Sequence, residues 1–251
     1  MEGRMVERKH IIRTERLCKE FPAGRRQIGV LHDIDLHIYP REFTIIYGPS
    51  GSGKSTLLNT LLGLEPPTRG KVFVRGRDLF KMADDQRAEF RNRNYGVVYQ
   101  QPYWVKSLNV LENVSLPLLL RGESLKFARG RAMYSIEQVG LERFAKYAPT
   151  QLSGGQQQKV SLARALVTDP SVIVADEPTG NLDTASSNEV IEMFMDLIQR
   201  LGRTVVMVTH ELRFLEYAHR AISIRDGKIE GEFGKSEIKN LVKDLKAIGI
   251  K

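Results

Sequence analysis

A glycine-rich segment has the composition and spacing of a phosphate-binding loop. It fits the pattern G-x-x-x-x-G-K-[ST], and its members are Gly48, Pro49, Ser50, Gly51, Ser52, Gly53, Lys54, Ser55 and Thr56. An apolar strand-like run, Phe43–Tyr47, precedes it, and a helical pattern follows from Ser55 to Leu64. Glycines there let backbone N–H groups surround phosphate oxygens, and the helix start adds partial positive charge. We predict that these residues bind a nucleotide, with Lys54 at the β- and γ-phosphates and Ser55 at Mg²⁺. A glycine-rich turn with a surface lysine is the alternative.

Two neighbouring acids end a second apolar run. Asp176 and Glu177 follow Val172–Ala175, so both carboxylates are expected at the carboxyl end of a buried strand, where α/β proteins bind ligands. We predict that Asp176 binds Mg²⁺ and that Glu177 is a catalytic residue that polarises the water attacking the γ-phosphate. A solvated acidic turn is the alternative.

A third segment combines a capping pattern with paired glycines. Ser153 and Gln156 have capping-box spacing, and Gly154 and Gly155 leave the N–H groups of a helix start open to an anion. The helix is predicted to run to about Val167. An ordinary helix cap is the alternative to an anion-binding role.

In this order, the three segments resemble the ATP-binding subunit of an ABC transporter over nearly the whole chain. The letters LSGGQ at residues 152–156 are similar to that family's signature motif. The resemblance implies an α/β fold: a RecA-like P-loop core with an antiparallel β subdomain and a helical subdomain. It also implies that ATP and Mg²⁺ are the ligands.

Four further residues match family positions. Phe21, placed ahead of the first strands, resembles the aromatic that stacks on adenine, and Gln100 resembles the Q-loop glutamine that touches Mg²⁺. Asp183 resembles the D-loop aspartate. His210 resembles the catalytic switch histidine at the γ-phosphate, although a lone histidine after a strand is usually structural.

The resemblance implies an ATP-dependent, head-to-tail dimer with two sites. Each site would join the phosphate loop, Asp176, Glu177 and His210 of one protomer to the signature residues of the other. Those signature residues are Ser153, Gly154, Gly155 and Gln156. A homodimer is expected and a heterodimer remains an alternative.

The segment Glu177–Asp183, with LSGGQQQ upstream, resembles the lipoprotein-releasing, macrolide-exporting and cell-division class (LolD, MacB and FtsE type). That class implies separate transmembrane permease subunits, a position on the cytoplasmic face of the membrane, and no nucleic-acid partner. Lys159 departs from the arginine usual in the class; it keeps the charge but loses bidentate geometry. The alternative function is a non-transport ABC ATPase that regulates cell division or signalling with a membrane partner.

The elements that must position these residues alternate between strand and helix patterns. Short alternating runs around Ile28–Ile38 and Lys71–Arg75 predict antiparallel strands beside a main sheet, and residues 102–165 are predicted to be largely helical. Helical spacing through Leu201 predicts a helix ended by Gly202, and Asp226-Gly227 predicts a hairpin. We assign residues 1–234 to the ATP-binding domain and 235–251 to a basic amphipathic helix.

Composition agrees with a globular chain of one large domain or two small ones. The 251 residues are 41% hydrophobic with a net charge of +8, and the single cysteine forms no internal disulfide. Neither a signal peptide nor a membrane span is expected, because no apolar run is long enough. The C-terminal stripe formed by Ile238, Leu241, Val242, Leu245 and Ile248 is expected to dock on its own domain, with a membrane surface as the alternative.

Aromatic residues after Gln100 suggest a binding surface. Tyr103 and Trp104 lie where ABC subunits receive the coupling helix of a membrane subunit, and rigid aromatics often anchor interfaces. The alternative is that both aromatics pack inside the helical subdomain.

Overall fold

A computed structural model describes residues 9–247 of the chain, with side chains described through residue 244. These residues form eleven strands and seven α-helices. The strands are β1 (Ile12–Ala23), β2 (Arg26–Ile34), β3 (His37–Ile38), β4 (Phe43–Tyr47), β5 (Arg69–Val74), β6 (Arg77–Asp78), β7 (Tyr95–Tyr99), β8 (Val172–Asp176), β9 (Thr204–Thr209), β10 (Arg220–Arg225) and β11 (Lys228–Gly234). The α-helices are α1 (Lys54–Leu61), α2 (Asp84–Asn94), α3 (Val110–Leu119), α4 (Leu125–Gln138), α5 (Gly154–Leu166), α6 (Thr184–Leu201) and α7 (Lys235–Ala247).

A six-stranded sheet forms the centre of the molecule, in the order β11-β10-β4-β9-β8-β7. All its pairings are parallel except that of β11 with β10. The apolar runs of β4 and β9 are buried throughout, as expected for parallel strands covered on both faces. Because β4, β8 and β9 are parallel neighbours, their carboxyl ends meet at one edge, and the loops after them converge.

A second, antiparallel sheet lies beside the first, as predicted. Its order is β2-β1-β5-β6, with β3 also paired to β1. Apolar side chains from this sheet, from α1 and from one face of the central sheet make one buried cluster, in which Leu31, Leu57 and Val206 are fully buried. This packing fixes the antiparallel sheet against the helix that follows the phosphate-binding loop.

Helices α3, α4 and α5 form a helical subdomain with its own core, as the sequence predicted for residues 102–165. Val114, Ala132, Ile136 and Val160 are fully buried in that core. Short 3-10 turns at Glu142–Phe144 and Pro149–Gln151 connect α4 to α5.

The predicted helix end at Gly202 and the predicted hairpin are both confirmed. Gly202 follows α6 in the left-handed conformation, with φ 62°, and its N–H donates to the carbonyl of Ile198. Asp226-Gly227 joins β10 to β11.

The C-terminal helix α7 packs on its own domain. Ile238 and Val242 are buried in the cluster beneath α6, and Leu241 packs against it, whereas Lys239 and Lys243 are exposed. The predicted stripe extends beyond the described side chains at Leu245 and Ile248. Within residues 9–247, none of the helices has the length and apolar character needed to cross a bilayer.

Candidate nucleotide-binding site

The phosphate-binding loop lies between β4 and α1, as predicted. Gly53 is the N-cap of α1 with φ 96°, a conformation that favours glycine, and Lys54 is the first helical residue. A side chain at Gly48 would have its Cβ only 2.0 Å from the carbonyl oxygen of Ile224. The loop therefore requires glycine at both ends: Gly53 for its backbone conformation, and Gly48 because there is no space for a side chain.

Lys54 is held at the centre of this loop. The residue is 7% exposed, and Nζ donates to the carbonyl oxygens of Gly48 and Pro49, both at 2.8 Å. Burial lowers the pKa of Lys54, while the carboxylates of Glu177 and Asp176 act in the opposite direction. The ammonium is thus a partly desolvated cation held inside the loop, which strengthens its attraction for a phosphate.

Asp176 and Ser55 come together across two elements. The Ser55 hydroxyl donates to Asp176 Oδ1 at 3.3 Å. Burial raises the pKa of Asp176, the hydrogen bond from Ser55 lowers it, and Glu177 raises it further. A hydroxyl and a carboxylate are hard oxygen donors that suit Mg²⁺, which usually takes one or two protein carboxylates together with substrate phosphates. Ser55 and Asp176 supply two such oxygen donors, which fits that pattern.

Glu177 occupies an unusual position directly after β8. Its φ is 47°, sparsely populated for a non-glycine residue, and its N–H donates to the carbonyl of Val208 on β9. The buried Oε2 atom has no hydrogen-bond partner among the described residues. His210 Nδ1 lies 2.7 Å from it, within ion-pair distance but without hydrogen-bond angles. A carboxylate that ends a buried strand beside a histidine and next to Asp176 has the chemistry of a general base.

Gln100 lies against the loop that follows Glu177. A Cβ built on Gly180 would sit 2.7 Å from Gln100 Nε2, so this amide lies directly against the loop. Gln100, Gly154 and Leu182 line a common cleft of about 210 Å³. The cleft brings together the segment after β7, the start of α5 and the loop after β8.

The signature segment caps α5 and leaves its start exposed. Ser153 Oγ accepts from the Gln156 N–H, and Gln156 Oε1 accepts from the Ser153 N–H, which is the predicted capping box. Ser153 and Gly154 are exposed to solvent, and a Cβ on Gly155 would meet the Ser186 hydroxyl at 2.7 Å. The segment is an ordinary helix cap in its bonding, and its exposed face is free for an anion.

Asp183 is the N-cap of α6. Its carboxylate accepts from the backbone N–H and the hydroxyl of Ser186, both at 2.9 Å, and these hydrogen bonds lower the pKa of Asp183. The structure thus gives Asp183 a capping role in the single chain. The predicted role toward ATP stays a prediction.

The predicted position of Phe21 is wrong in one respect. The residue lies inside β1, paired with Ile28 of β2, and not ahead of the first strands. Strand β1 continues through Pro22 to Ala23 because the β1–β2 pairing extends to the turn at Gly24.

Tyr103 and Trp104 have different environments, and only Trp104 packs on the helical subdomain. Tyr103 is 73% exposed, as an interface residue should be. Trp104 packs against the helical subdomain, and its Nε1 donates to Gln157 Oε1 at 2.9 Å. Arg164 lies over the Trp104 ring at 4.6 Å from the centroid, so Trp104 connects the helix of the signature segment to the segment after Gln100.

Sequence reasoning missed the residues that hold these loops together. The fully buried Thr179 hydroxyl donates to Glu211 Oε1 at 2.7 Å, which ties the loop after Glu177 to the residue that follows His210. The Gly227 N–H donates to the carbonyl oxygen of Ser52, so the β10–β11 hairpin supports the phosphate-binding loop. Only the hairpin had a sequence signal, and that signal did not indicate the contact.

Parallel strands that bring a phosphate-binding loop and an acidic pair to one sheet edge are the arrangement of a P-loop nucleoside triphosphatase. The ABC transporter family model matches residues 31–180, and the chain belongs to that family. It is the ATP-binding, ATP-hydrolysing subunit of such a transporter, as the sequence predicted.

Relatives of this chain cover most of its length. An uncharacterized ABC transporter ATP-binding protein of Thermotoga maritima is 43% identical over 89% of this chain and 95% of its own. The lipoprotein-releasing system ATP-binding protein LolD of Xanthomonas campestris pv. campestris is 39% identical over 87% and 92%. The macrolide export ATP-binding/permease protein MacB 2 of Yersinia pestis is 42% identical over 88% of this chain but 32% of its own, so this chain spans about a third of that protein.

Solved structures agree with the fold. The ABC transporter cassette MJ0796, solved as a dimer, superposes with a TM-score of 0.83 at 38% identity and covers 89% of this chain and 98% of its own. A second dimeric structure of MJ0796, in a post-hydrolysis state with ADP and Pi, is 37% identical over the same coverage with the same TM-score. The predicted fold class and family resemblance are therefore confirmed.

Proposed function

We propose that two copies of this chain bind ATP and Mg²⁺ between them and hydrolyse the ATP to drive separate transmembrane permease subunits. The observation that carries the proposal is the carboxylate of Glu177, which lies beside His210 and next to the Asp176–Ser55 pair. A site with a phosphate loop alone would bind nucleotide; the added carboxylate supplies the base for hydrolysis.

Each residue of the site has a distinct role in this reaction. Lys54 holds the β- and γ-phosphates, and Ser55, Asp176 and Gln100 are the side chains that would hold Mg²⁺. The bound ion supplies positive charge that stabilises the phosphate oxygens. Glu177 would accept a proton from the attacking water, and His210, whose Nδ1 lies 2.7 Å from its carboxylate, would orient that group.

The signature segment is the part of the site that the partner copy supplies. Ser153 and Gly154 are exposed, and the start of α5 presents backbone N–H groups suited to a phosphate. MJ0796 was solved as a dimer, which supports a homodimer of this chain. The phosphates of each ATP would then be enclosed by the loop of one copy and the signature helix of the other.

A groove beside Tyr103 is the proposed docking site for a membrane subunit. It has a volume of about 780 Å³, and its exposed apolar residues include Tyr103 and Leu120, at 73% and 80% exposure. Arg91 and Arg121 add positive charge. An amphipathic helix of the permease, carrying apolar and acidic side chains, fits this surface.

Tyr103→Ala is expected to uncouple the subunit from its permease. The substitution removes a large exposed aromatic surface from the groove but leaves Trp104 and its bond to Gln157 in place. We expect ATP hydrolysis by the isolated chain to stay within about twofold of wild type, and co-purification with the permease to fall at least about fivefold. The matched control is Tyr134→Ala, an exposed aromatic on α4 outside the groove. Unchanged co-purification of Tyr103→Ala would refute the docking site.

The relatives favour an exporter, lipoprotein-release or mechanotransmission system on the cytoplasmic face of the cell membrane. LolD and MacB are named for lipoprotein release and macrolide export, and this chain is about 40% identical to both. The alternative is a non-transport ABC ATPase that regulates cell division or signalling. A neighbouring gene encoding four membrane spans and a large extracytoplasmic domain would favour the transporter.

Phosphate release from ATP by the purified chain tests the proposed reaction. Hydrolysis is expected with Mg²⁺ and should fall at least about 10²-fold when EDTA removes the ion, because the positive charge that stabilises the phosphate oxygens is then lost and the carboxylate of Asp176 repels them. Returning Mg²⁺ should restore the rate, and Ca²⁺, which takes a larger and less regular oxygen shell, serves as the comparison ion. Hydrolysis that is indifferent to EDTA would contradict the magnesium site.

A further inference from the structure

Lys19 is a buried cation in β1, outside the phosphate-binding site. It is 7% exposed, and its ammonium lies 4.7 Å from the centroid of the Phe21 ring. Nζ donates to the carbonyl oxygen of Pro66 at 2.7 Å and forms an ion pair with Glu65 at 2.5 Å. A lysine is rarely this buried, so the contacts of its ammonium with the Phe21 ring, Pro66 and Glu65 require an explanation.

The strand register places Phe21 near the phosphate-binding loop. Phe21 pairs with Ile28 of β2. Val30 lies two residues further along that strand, and its carbonyl oxygen would be 2.8 Å from a Cβ atom built on Gly53. Two residues of a strand span about 7 Å. The backbone of Phe21 is therefore within about one nucleoside length of the phosphate-binding loop.

We propose that Lys19 is a positioning residue for the adenine base. The proposal rests on the assignment of Phe21 as the aromatic on which adenine stacks. Lys19 covers one face of that ring, so the base stacks on the other, and the cation draws π-electron density toward itself. The remote face is then less electron-rich and stacks more favourably on the electron-rich base.

The partners of Lys19 also connect the base-binding strand to the helix that begins at the phosphates. Glu65 and Pro66 lie just beyond the end of α1, and the N–H of Glu65 donates to the Asn59 carbonyl in that helix. The Glu20 N–H in β1 donates to the Thr68 hydroxyl in the same connecting segment. Lys19 thus sets the ring at a fixed distance from the phosphate-binding loop.

Calorimetric titration with two ligands tests this role. Mg-ATP carries both base and phosphates, whereas magnesium tripolyphosphate carries only the phosphates. Lys19→Met keeps the apolar stem of the side chain and removes its charge, whereas Lys19→Arg keeps a cation at this position. Glu65→Gln removes the ion pair but leaves the Lys19 ammonium over the Phe21 ring. Phe21→Ala removes the ring itself. The thermal unfolding midpoint of each variant records whether it folds.

We expect Lys19→Met to raise the Kd for Mg-ATP roughly three- to tenfold and to leave the Kd for magnesium tripolyphosphate unchanged. Lys19→Arg should restore most of the ATP affinity, and Glu65→Gln, which removes one of the two contacts between Lys19 and the segment after α1, should weaken Mg-ATP binding less than Lys19→Met does. In a Phe21→Ala background, Lys19→Met should add no further loss, because both act on the same stacking interaction.

Three results would overturn the inference. Equal weakening of both ligands by Lys19→Met would make Lys19 a support of the phosphate loop, and an unchanged Kd for Mg-ATP would leave it without a role in binding. If Phe21→Ala weakens ATP while Lys19→Met does not, only the Lys19 inference fails. If Phe21→Ala also leaves the Kd for ATP unchanged, the assignment of Phe21 fails with it.

Discussion

Glu177→Gln is expected to slow ATP hydrolysis by about 10²–10⁴-fold, the usual effect of removing a general base. The amide keeps the shape of the side chain but accepts no proton from water. Binding should survive, because Lys54 and the loop around it hold the phosphates. Removing a negative charge near the γ-phosphate should also stabilise the ATP-bound dimer. Single-turnover kinetics and size-exclusion chromatography with Mg-ATP measure the two effects.

The matched control is Glu137→Gln, which replaces an exposed acid of α4 and should hydrolyse ATP at the wild-type rate. Wild-type turnover by Glu177→Gln would remove Glu177 from the mechanism. A slow variant that stays monomeric at saturating ATP would leave the base in place and contradict dimer closure by this chain alone.

Lys54→Ala should abolish most nucleotide binding. A hydrogen bond to a charged group contributes about 1.5–3 kcal/mol, so losing the ammonium between the β- and γ-phosphates should weaken ATP binding by roughly 10–150-fold. The free chain should keep its thermal stability, because burial lowers the pKa of Lys54 and so opposes the charged form in the folded protein. Calorimetric titration with Mg-ATP and a thermal unfolding scan measure these two quantities.

Lys126→Ala, which removes an exposed lysine of α4, is the control for loss of charge alone. Full ATP affinity in Lys54→Ala would contradict the phosphate-binding role of the loop. A large fall in the unfolding midpoint would show instead that the two backbone contacts of Lys54 stabilise the fold.

The sequence predicted the chemistry at the strand ends because that chemistry depends on local order along the chain. A loop such as residues 48–56 needs its strand, glycines and helix in immediate succession, and Asp176 and Glu177 need only a buried strand before them. Parallel pairing of β4, β9 and β8 then makes their loops converge, so the site follows from the topology.

Contacts between distant segments could not be predicted in this way. Thr179 and Glu211 are 32 residues apart, and nothing in either segment indicates the hydrogen bond between them. Trp104 and Tyr103 are adjacent in sequence, yet one packs on α5 and the other faces solvent, because a φ of 47° at Tyr103 turns the chain between them. Burial at this level depends on packing among elements and not on residue type.

Mixing two inactive variants tests the shared site most directly. Glu177→Gln lacks the base, and Gly154→Asp places a carboxylate where the γ-phosphate bound to the other copy would lie. Position 154 has room for a side chain, because a Cβ built there would lie 3.5 Å from Leu182. A mixed dimer contains one complete site, formed by Glu177 of one copy and Gly154 of the other. With random pairing of equal amounts of the two variants, we expect recovery of about a quarter of wild-type hydrolysis. Half of the dimers are then mixed, and each mixed dimer has one complete site where the wild-type dimer has two. A mixture as inactive as its separate components would contradict a site built from two copies of this chain.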